Sequence, residues 1–410
     1  MKKIYSNRLD FALIFISSVL IFSINFHYLL AEKYGMVHPW NTFLFDPTHR
    51  FTDWIHSVIH SKYLNPYNMP APSIAAYFPL FYLTVSKLIS TDLKLALHQY
   101  FYISIILHLV LIYKIKTSKK INFDKSNINL LKITFIIFFS YPVIFSIDRG
   151  NIDIWIFYLI AIGFIFYKEQ NNKTSLLIFA IASSLKGYPI AFILYFIFKK
   201  QYSFALYLIL LFLLFVIVPL LIFEGGFFDN LQLFMHNLAG YKKIYVIGSG
   251  SLFASSDPYN MIRIIVLYLY RNLFEIKLNV ELMSTYIYMP YLISNIALMM
   301  YCCYYLYRKK INSDMVIMTF ISFVVITFPN VANDYKLCIL LLPLLFSLIN
   351  LIKPLPFSIY ILILLLLVPK SFYFIQDRSI SMVINPILIV LSYILLFNHI
   401  KINKNKLHEF

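Results

Sequence analysis

Ten stretches of this 410-residue chain approach or reach the length and apolarity of a bilayer-crossing helix: 9–31, 98–115, 130–147, 152–168, 203–222, 286–307, 314–329, 337–352, 356–374 and 381–399. A spanning helix needs roughly 17–25 mostly apolar residues. In lipid, backbone polar groups must be satisfied within the segment, so a chain built this way can only be a bundle of membrane helices. Charged residues make up 13% of the sequence, about half the share in a soluble protein. That excludes an ordinary cytosolic enzyme, a disordered chain and a nucleic-acid binder. The predicted fold is an all-α integral membrane protein in one domain.

The run 174–199 is apolar and one span long, but it carries Lys186, Gly187, Tyr188 and Pro189 at its centre. As a single helix it would bury the lysine near the bilayer midplane, which is costly, and both Gly and Pro break helices. Two short helices, 174–186 and 189–199, meeting at a polar cavity remove both problems and bring the total to twelve segments. With the N-terminus inside, the clusters KIKTSKK, FKK, YRKK and HIKINKNK then all fall on the cytoplasmic side, as the positive-inside rule requires. The net charge of +17 is therefore mostly a topology signal, and both termini are predicted to be cytoplasmic. The run 9–31 is too long for a signal-peptide core and reads as an uncleaved first span. The abundance of Lys, Ile, Asn and Phe points to a bacterial plasma membrane. Cys302, Cys303 and Cys338 lie in apolar segments without CxxC spacing, so neither a disulfide framework nor a zinc site is expected.

This topology leaves two long outer segments, 32–97 and 223–285, in which 74–97 and 261–274 read as helices lying at the membrane surface. Most of the 18 acidic residues fall outside and none lies deep in a span. That argues against an ion-coupled transporter and favours chemistry at the outer face. Four places there carry candidate groups. Asp53 follows Phe51-Thr52 and precedes Trp54; it can be a base held in a dry pocket, or Thr52 or Asp53 can cap the helix that follows. The turn SIDRGNID offers Arg149 for bidentate phosphate binding, with Asp148 or Asp153 for a sugar hydroxyl or a metal; equally, Asp148 and Arg149 can pair while Asn151 caps the next helix. Lys186 can meet a lipid phosphate or snorkel to the interface. In FPNVANDYK, residues Asn330, Asn333, Asp334, Tyr335 and Lys336 form a polar cluster or serve as interface anchors. His56 and His60 lack the carboxylate of a zinc motif.

These pieces, in this order and on one side, resemble the GT-C superfamily of membrane glycosyltransferases, closest to the family 87 branch of polyprenol-phosphate-mannose-dependent enzymes. The features are FTDW, the downstream NPY, YFPL, SIDRGNID and SLKGYP, with a looser match at FPNVANDYK. Residues 1–225 are expected to be the GT-C-like core and 226–410 variable C-terminal spans. The resemblance implies an inverting transfer of a hexose, with mannose a candidate, from a polyprenyl-phosphate donor to a glycan or glycolipid acceptor at the extracytoplasmic face. It assigns the base to Asp53, with Asp46 as the alternative, and the donor phosphate to Lys186 and Arg149. Asp148, Asn151, Asp153, Tyr188 and Asp334 are expected to orient sugar or acceptor. No metal and no cofactor is required, because a polyprenyl monophosphate is already a usable leaving group. The expected partners are therefore the lipid-linked donor, the acceptor and membrane lipid. The rival readings are a surface-polysaccharide polymerase or ligase and a non-enzymatic flippase for lipid-linked sugars.

Overall fold

The computed structural model describes residues 2–35, 50–68, 74–250, 252, 255–273, 279–309, 311–328, 334–370, 373–375 and 378–402. These are helical apart from turns and a short antiparallel pairing of Tyr373–Ile375 with Arg378–Ser379. The chain forms two compact units. The first comprises Met1–Pro47, Leu131–Phe145 and Lys242–Phe410; the second comprises Thr48–Leu130 and Ser146–Tyr241.

Among the described residues, five helices have the length and composition of a membrane span: Asn7–Tyr34, Leu93–Thr117, Tyr202–Ile222, Val280–Arg308 and Ser381–Ile402. Their side chains point outward in a way that water would penalise. On Tyr202–Ile222, Leu210, Leu214 and Leu221 are exposed while Phe204, Ala205 and Leu208 are buried. An apolar surface of this extent is stable only against another apolar phase, which for helices of this length is the lipid hydrocarbon. The chain is thus a membrane-embedded helical protein.

Several elements differ from the sequence reading. The run 130–147 is a helix pair, Asn127–Phe139 and Tyr141–Arg149, bent by 58°. Pro142 lies just past the break and removes a donor that a continuous helix would need. The run 337–352 becomes a 3₁₀ segment, Asp334–Leu340, leading into the short helix Leu341–Leu348, and the helix described within 356–374 is Phe357–Leu366. Five spans, or six with the bent pair, therefore meet the length test, against the twelve segments expected. The surface segment 74–97 contains Pro79–Leu88, and the following span starts at Leu93, where Asp92 caps it by accepting the Leu95 N–H at 2.8 Å. The helix Phe227–Tyr241 was not anticipated at all.

The expected break in 174–199 is present. Helix Asn172–Lys186 ends at Gly187, a 3₁₀ turn Tyr188–Phe192 follows, and Ile193–Phe198 completes the run. In the second unit the helix Asp153–Lys168 is buried along nearly its whole length and packs between Leu93–Thr117 and Asn172–Lys186. At its C-terminal end Lys114 and Glu169 pair at 3.1 Å. At its N-terminal end Trp155 packs on Trp54 and Tyr100, each with ring centroids 5.3 Å apart. The Trp54 indole N–H donates to Ala96 O at 2.9 Å. This aromatic cluster fixes the helix Thr52–Ser61 against the rest of the unit.

Candidate active site

Two backbone features bring Asp53 to the turn 148–153. Phe51 is in the left-handed region with φ 54°, and its N–H donates to Asp148 O at 2.8 Å. Gly150, with φ 65°, lies so close to Trp54 that a methyl group on it would stand 2.7 Å from the Trp54 Cβ. Only glycine tolerates both that dihedral and that approach. The turn is further pinned through Asn151. Its N–H donates to Ser146 O at 2.8 Å, and its carbonyl accepts from Ser146 Oγ at 2.8 Å and from the Tyr100 hydroxyl at 2.9 Å.

On this frame the side chains form a continuous polar chain. Arg149 Nη2 lies 3.6 Å from Asp53 Oδ1. Asn151 Nδ2 donates to Asp53 Oδ2 at 2.7 Å, and Asn151 Oδ1 accepts from Lys186 Nζ at 2.7 Å. Lys186 Nζ also donates to Asp153 Oδ2 at 2.7 Å, and the Tyr188 hydroxyl donates to Asp153 Oδ1 at 2.6 Å. Charges of opposite sign alternate along it: Arg149, Asp53, Lys186, Asp153. The side chains of Asp53, Arg149 and Lys186 remain 24%, 22% and 19% exposed, whereas that of Asp153 is completely buried. Asp53 is thus partly open rather than enclosed in the dry pocket anticipated. Neither Asp53 nor Thr52 is the N-cap residue of the helix; that position belongs to Phe51, with no side-chain cap bond. Asn151 Oδ1 also accepts the Asp153 N–H at 3.0 Å, although the N-cap position of that helix belongs to Ile152, with no side-chain cap bond.

The arrangement presents a partly exposed carboxylate beside cations held at fixed positions. Such a set can accept a proton from a hydroxyl and stabilise negative charge developing on a nearby oxyanion. Five residues singled out in the sequence, Asp53, Arg149, Asn151, Asp153 and Lys186, are brought together, with Tyr188 bonded to Asp153. Asp148 contributes its backbone carbonyl at the junction with Phe51. Asp46, Asn330 and Asn333 lie outside the described residues. Asp334 is in the first unit, in a different network: it accepts from Ser256 Oγ at 2.5 Å and from Asn385 Nδ2 at 3.0 Å. Burial pushes its carboxyl above the ordinary range, and that of nearby Asp257 likewise.

Tyr77 was not singled out individually. Its hydroxyl lies 3.5 Å from Asn151 Nδ2, and its ring centroid lies 5.5 Å from Lys186 Nζ. The NPY motif explains its placement. Asn65 donates to Asn230 Oδ1 at 2.6 Å and to Glu224 O at 3.1 Å, and the Tyr67 hydroxyl donates to Tyr77 O at 2.9 Å. Burial pushes the Tyr67 phenol well above its ordinary value, so it keeps the proton this bond needs. NPY is therefore a support for the backbone of YFPL, a link that a reading of side-chain types alone does not reveal.

Residues 75–330 match the model of glycosyltransferase family 87, more than half of the chain. The protein belongs to that family. It is a glycosyltransferase, with a sugar donor and an acceptor as substrates. The GT-C, family 87 resemblance seen in the motifs is thus borne out. The match includes YFPL, SIDRGNID and SLKGYP and extends through the helix Asp314–Thr327, while Asp53 and NPY lie before it. Asp53 joins the family 87 segment by geometry, through Asn151 and Arg149. No curated protein and no solved structure matches the chain.

Proposed function

We propose that this family 87 enzyme transfers a hexose, with mannose the first candidate, from a polyprenyl-phosphate donor to a hydroxyl of a glycan or glycolipid. The observation that carries the reading is the single network joining Asp53 to Lys186 through Asn151. Asp53 acts as the base: the acceptor oxygen attacks the anomeric carbon as Asp53 takes its proton. The bond from that carbon to the phosphate oxygen breaks, and polyprenyl phosphate leaves with the electron pair. One displacement of this kind inverts the anomeric centre. Lys186 and Arg149 bind the donor phosphate and stabilise the charge gathering on it. Asp153, itself bonded by the Tyr188 hydroxyl, holds Lys186 in place, and Asp148 supports the turn. No step in this scheme calls on a metal. Holding both reactants beside a fixed base lowers the barrier further by removing the need to gather them from solution. The distribution of basic clusters supports cytoplasmic termini and a site at the extracytoplasmic face of a bacterial plasma membrane.

The test is to incubate the purified, lipid-reconstituted protein with a panel of polyprenyl-phosphate sugars and candidate acceptors and to measure released polyprenyl phosphate. Release with one sugar, giving a product of inverted anomeric configuration, is the expected result. Turnover with pyrophosphate-linked donors only would overturn the donor assignment. A retained configuration would overturn the single displacement.

A further inference from the structure

For a single displacement, the base must sit at a set distance from the group that holds the departing phosphate. In this protein one side chain spans that distance. Asn151 is 2% exposed. Its Nδ2 donates to Asp53 Oδ2 at 2.7 Å and its Oδ1 accepts from Lys186 Nζ at 2.7 Å and from the Asp153 N–H at 3.0 Å. The partners fix which way the amide faces, because a carboxylate only accepts and an ammonium only donates. Its backbone is tied by three further bonds, to Ser146 and Tyr100. A side chain this enclosed, with both amide atoms engaged by the protein, is poorly placed to take a sugar hydroxyl.

We propose that Asn151 is a positioning residue, one amide that sets the Asp53 carboxylate relative to the Lys186 ammonium. Donor-phosphate capture and acceptor deprotonation then share one fixed geometry. Asn151 acts through Asp53 and does not touch substrate. The inference rests on the reading of Asp53 as base and Lys186 as phosphate ligand given above.

The closing experiment compares Asn151→Ala, Asp53→Asn and the double variant in reconstituted protein, with the donor identified by the panel. Affinity for the sugar-free polyprenyl phosphate is measured alongside. Asn151→Ala is expected to lower kcat about 10- to 100-fold, part of what a positioned base supplies, while donor KM and lipid-phosphate affinity change no more than about threefold. In the Asp53→Asn background the same change is expected to cost little more, since residues acting as a unit are not additive. A purely structural role would instead lower kcat by the same factor in both backgrounds, or move KM and affinity with it, and either result overturns the proposal. If Asn151→Ala fails to fold, Asn151→Asp keeps an acceptor for the Asp153 N–H but loses the donor to Asp53. Wild-type kcat in that variant also overturns it. An Asp53→Asn variant with wild-type kcat would instead sink the assignment of the base, and so is distinguishable from failure at Asn151 alone.

Discussion

Lys186 and Asp153 form a 2.7 Å ion pair in which the aspartate side chain is wholly buried while the lysine side chain stays 19% exposed. The pair therefore has a structural side and an open side. Removing the lysine alone leaves an uncompensated buried charge, which costs about 3–5 kcal/mol. Lys186→Met is thus expected to express poorly and melt early for reasons unrelated to substrate. Lys186→Met combined with Asp153→Asn should recover most of the lost thermal stability. Donor KM should nevertheless stay raised about 10- to 100-fold, the worth of one hydrogen bond to a charged group. Thermal melts and donor titrations on the single and double variants check this. A double variant with wild-type donor KM would remove Lys186 from the phosphate site.

Asp53→Asn separates charge from shape. The side chain is about a quarter exposed, and an asparagine there can still accept from Asn151, so insertion and melting temperature should be close to wild type. A side chain that cannot take a proton should lower kcat by about 10²- to 10⁴-fold, with donor KM changed no more than about threefold. Steady-state kinetics decides it: a kcat above a tenth of wild type in well-folded protein would mean that another group is the base.

The element pattern was largely legible because apolar runs and their breakers act locally. Lys186, Gly187 and Pro189 could be read as a break from the cost of a midplane charge and a missing donor. The bend before Pro142 obeys the same chemistry but lies inside an uninterrupted apolar run, where hydropathy alone does not show it. The helix Phe227–Tyr241 does not stand out in the sequence because its apolar residues are mixed with Asp229, Asn230 and Asn237. The site was legible as a set of residue types on one side, yet its wiring was not. Asn151 read as a cap or a ligand, and only the folded turn shows it bonded to Asp53, 98 residues earlier, and to Lys186, 35 residues later. A polar residue near a span end, such as Asp334, reads the same in sequence whether it meets substrate or a buried serine, and its bond to Ser256 is visible only in the fold.

Two glycines hold the site's halves at contact distance. A methyl on Gly187 would stand 2.4 Å from the Phe78 ring, and one on Gly150 2.7 Å from Trp54 Cβ, and both residues have positive φ. Alanine at either position adds dihedral strain of about 1–3 kcal/mol to a clash the neighbour must relieve. Gly150→Ala is expected to be the worse of the two, since Trp54 is buried and its Cβ cannot swing away, whereas the Phe78 ring is only partly buried. Melting temperatures of the two variants in detergent should therefore fall in the order wild type, Gly187→Ala, Gly150→Ala. Gly150→Ala should also lose kcat, because it pushes Asp53 away from the turn. Wild-type stability in Gly150→Ala would show that the packing of Trp54 on the turn is not needed.

The acid in the first unit gives a pH-dependent expectation with a definite sign. Burial raises the Asp334 carboxyl above its ordinary value of 3.8, against the opposing pull of Lys370, Ser256, Ser381 and Asn385. The folded chain therefore binds this proton more tightly than the unfolded chain does. A raised group of this kind contributes stability that is complete below the unfolded value and is lost as pH climbs through the folded one. Asp334→Asn removes the titration while keeping an acceptor for Ser256. Relative to wild type, its melting temperature should thus be lower or equal at the acid end and should fall less as pH rises from about 4 towards neutrality. Because a membrane protein's unfolding is often irreversible, both proteins are to be melted at one fixed scan rate across the pH series. Parallel curves would mean that Asp334 takes up its proton at the same pH folded and unfolded, and that its enclosure by Ser256 and Asn385 does not govern its charge.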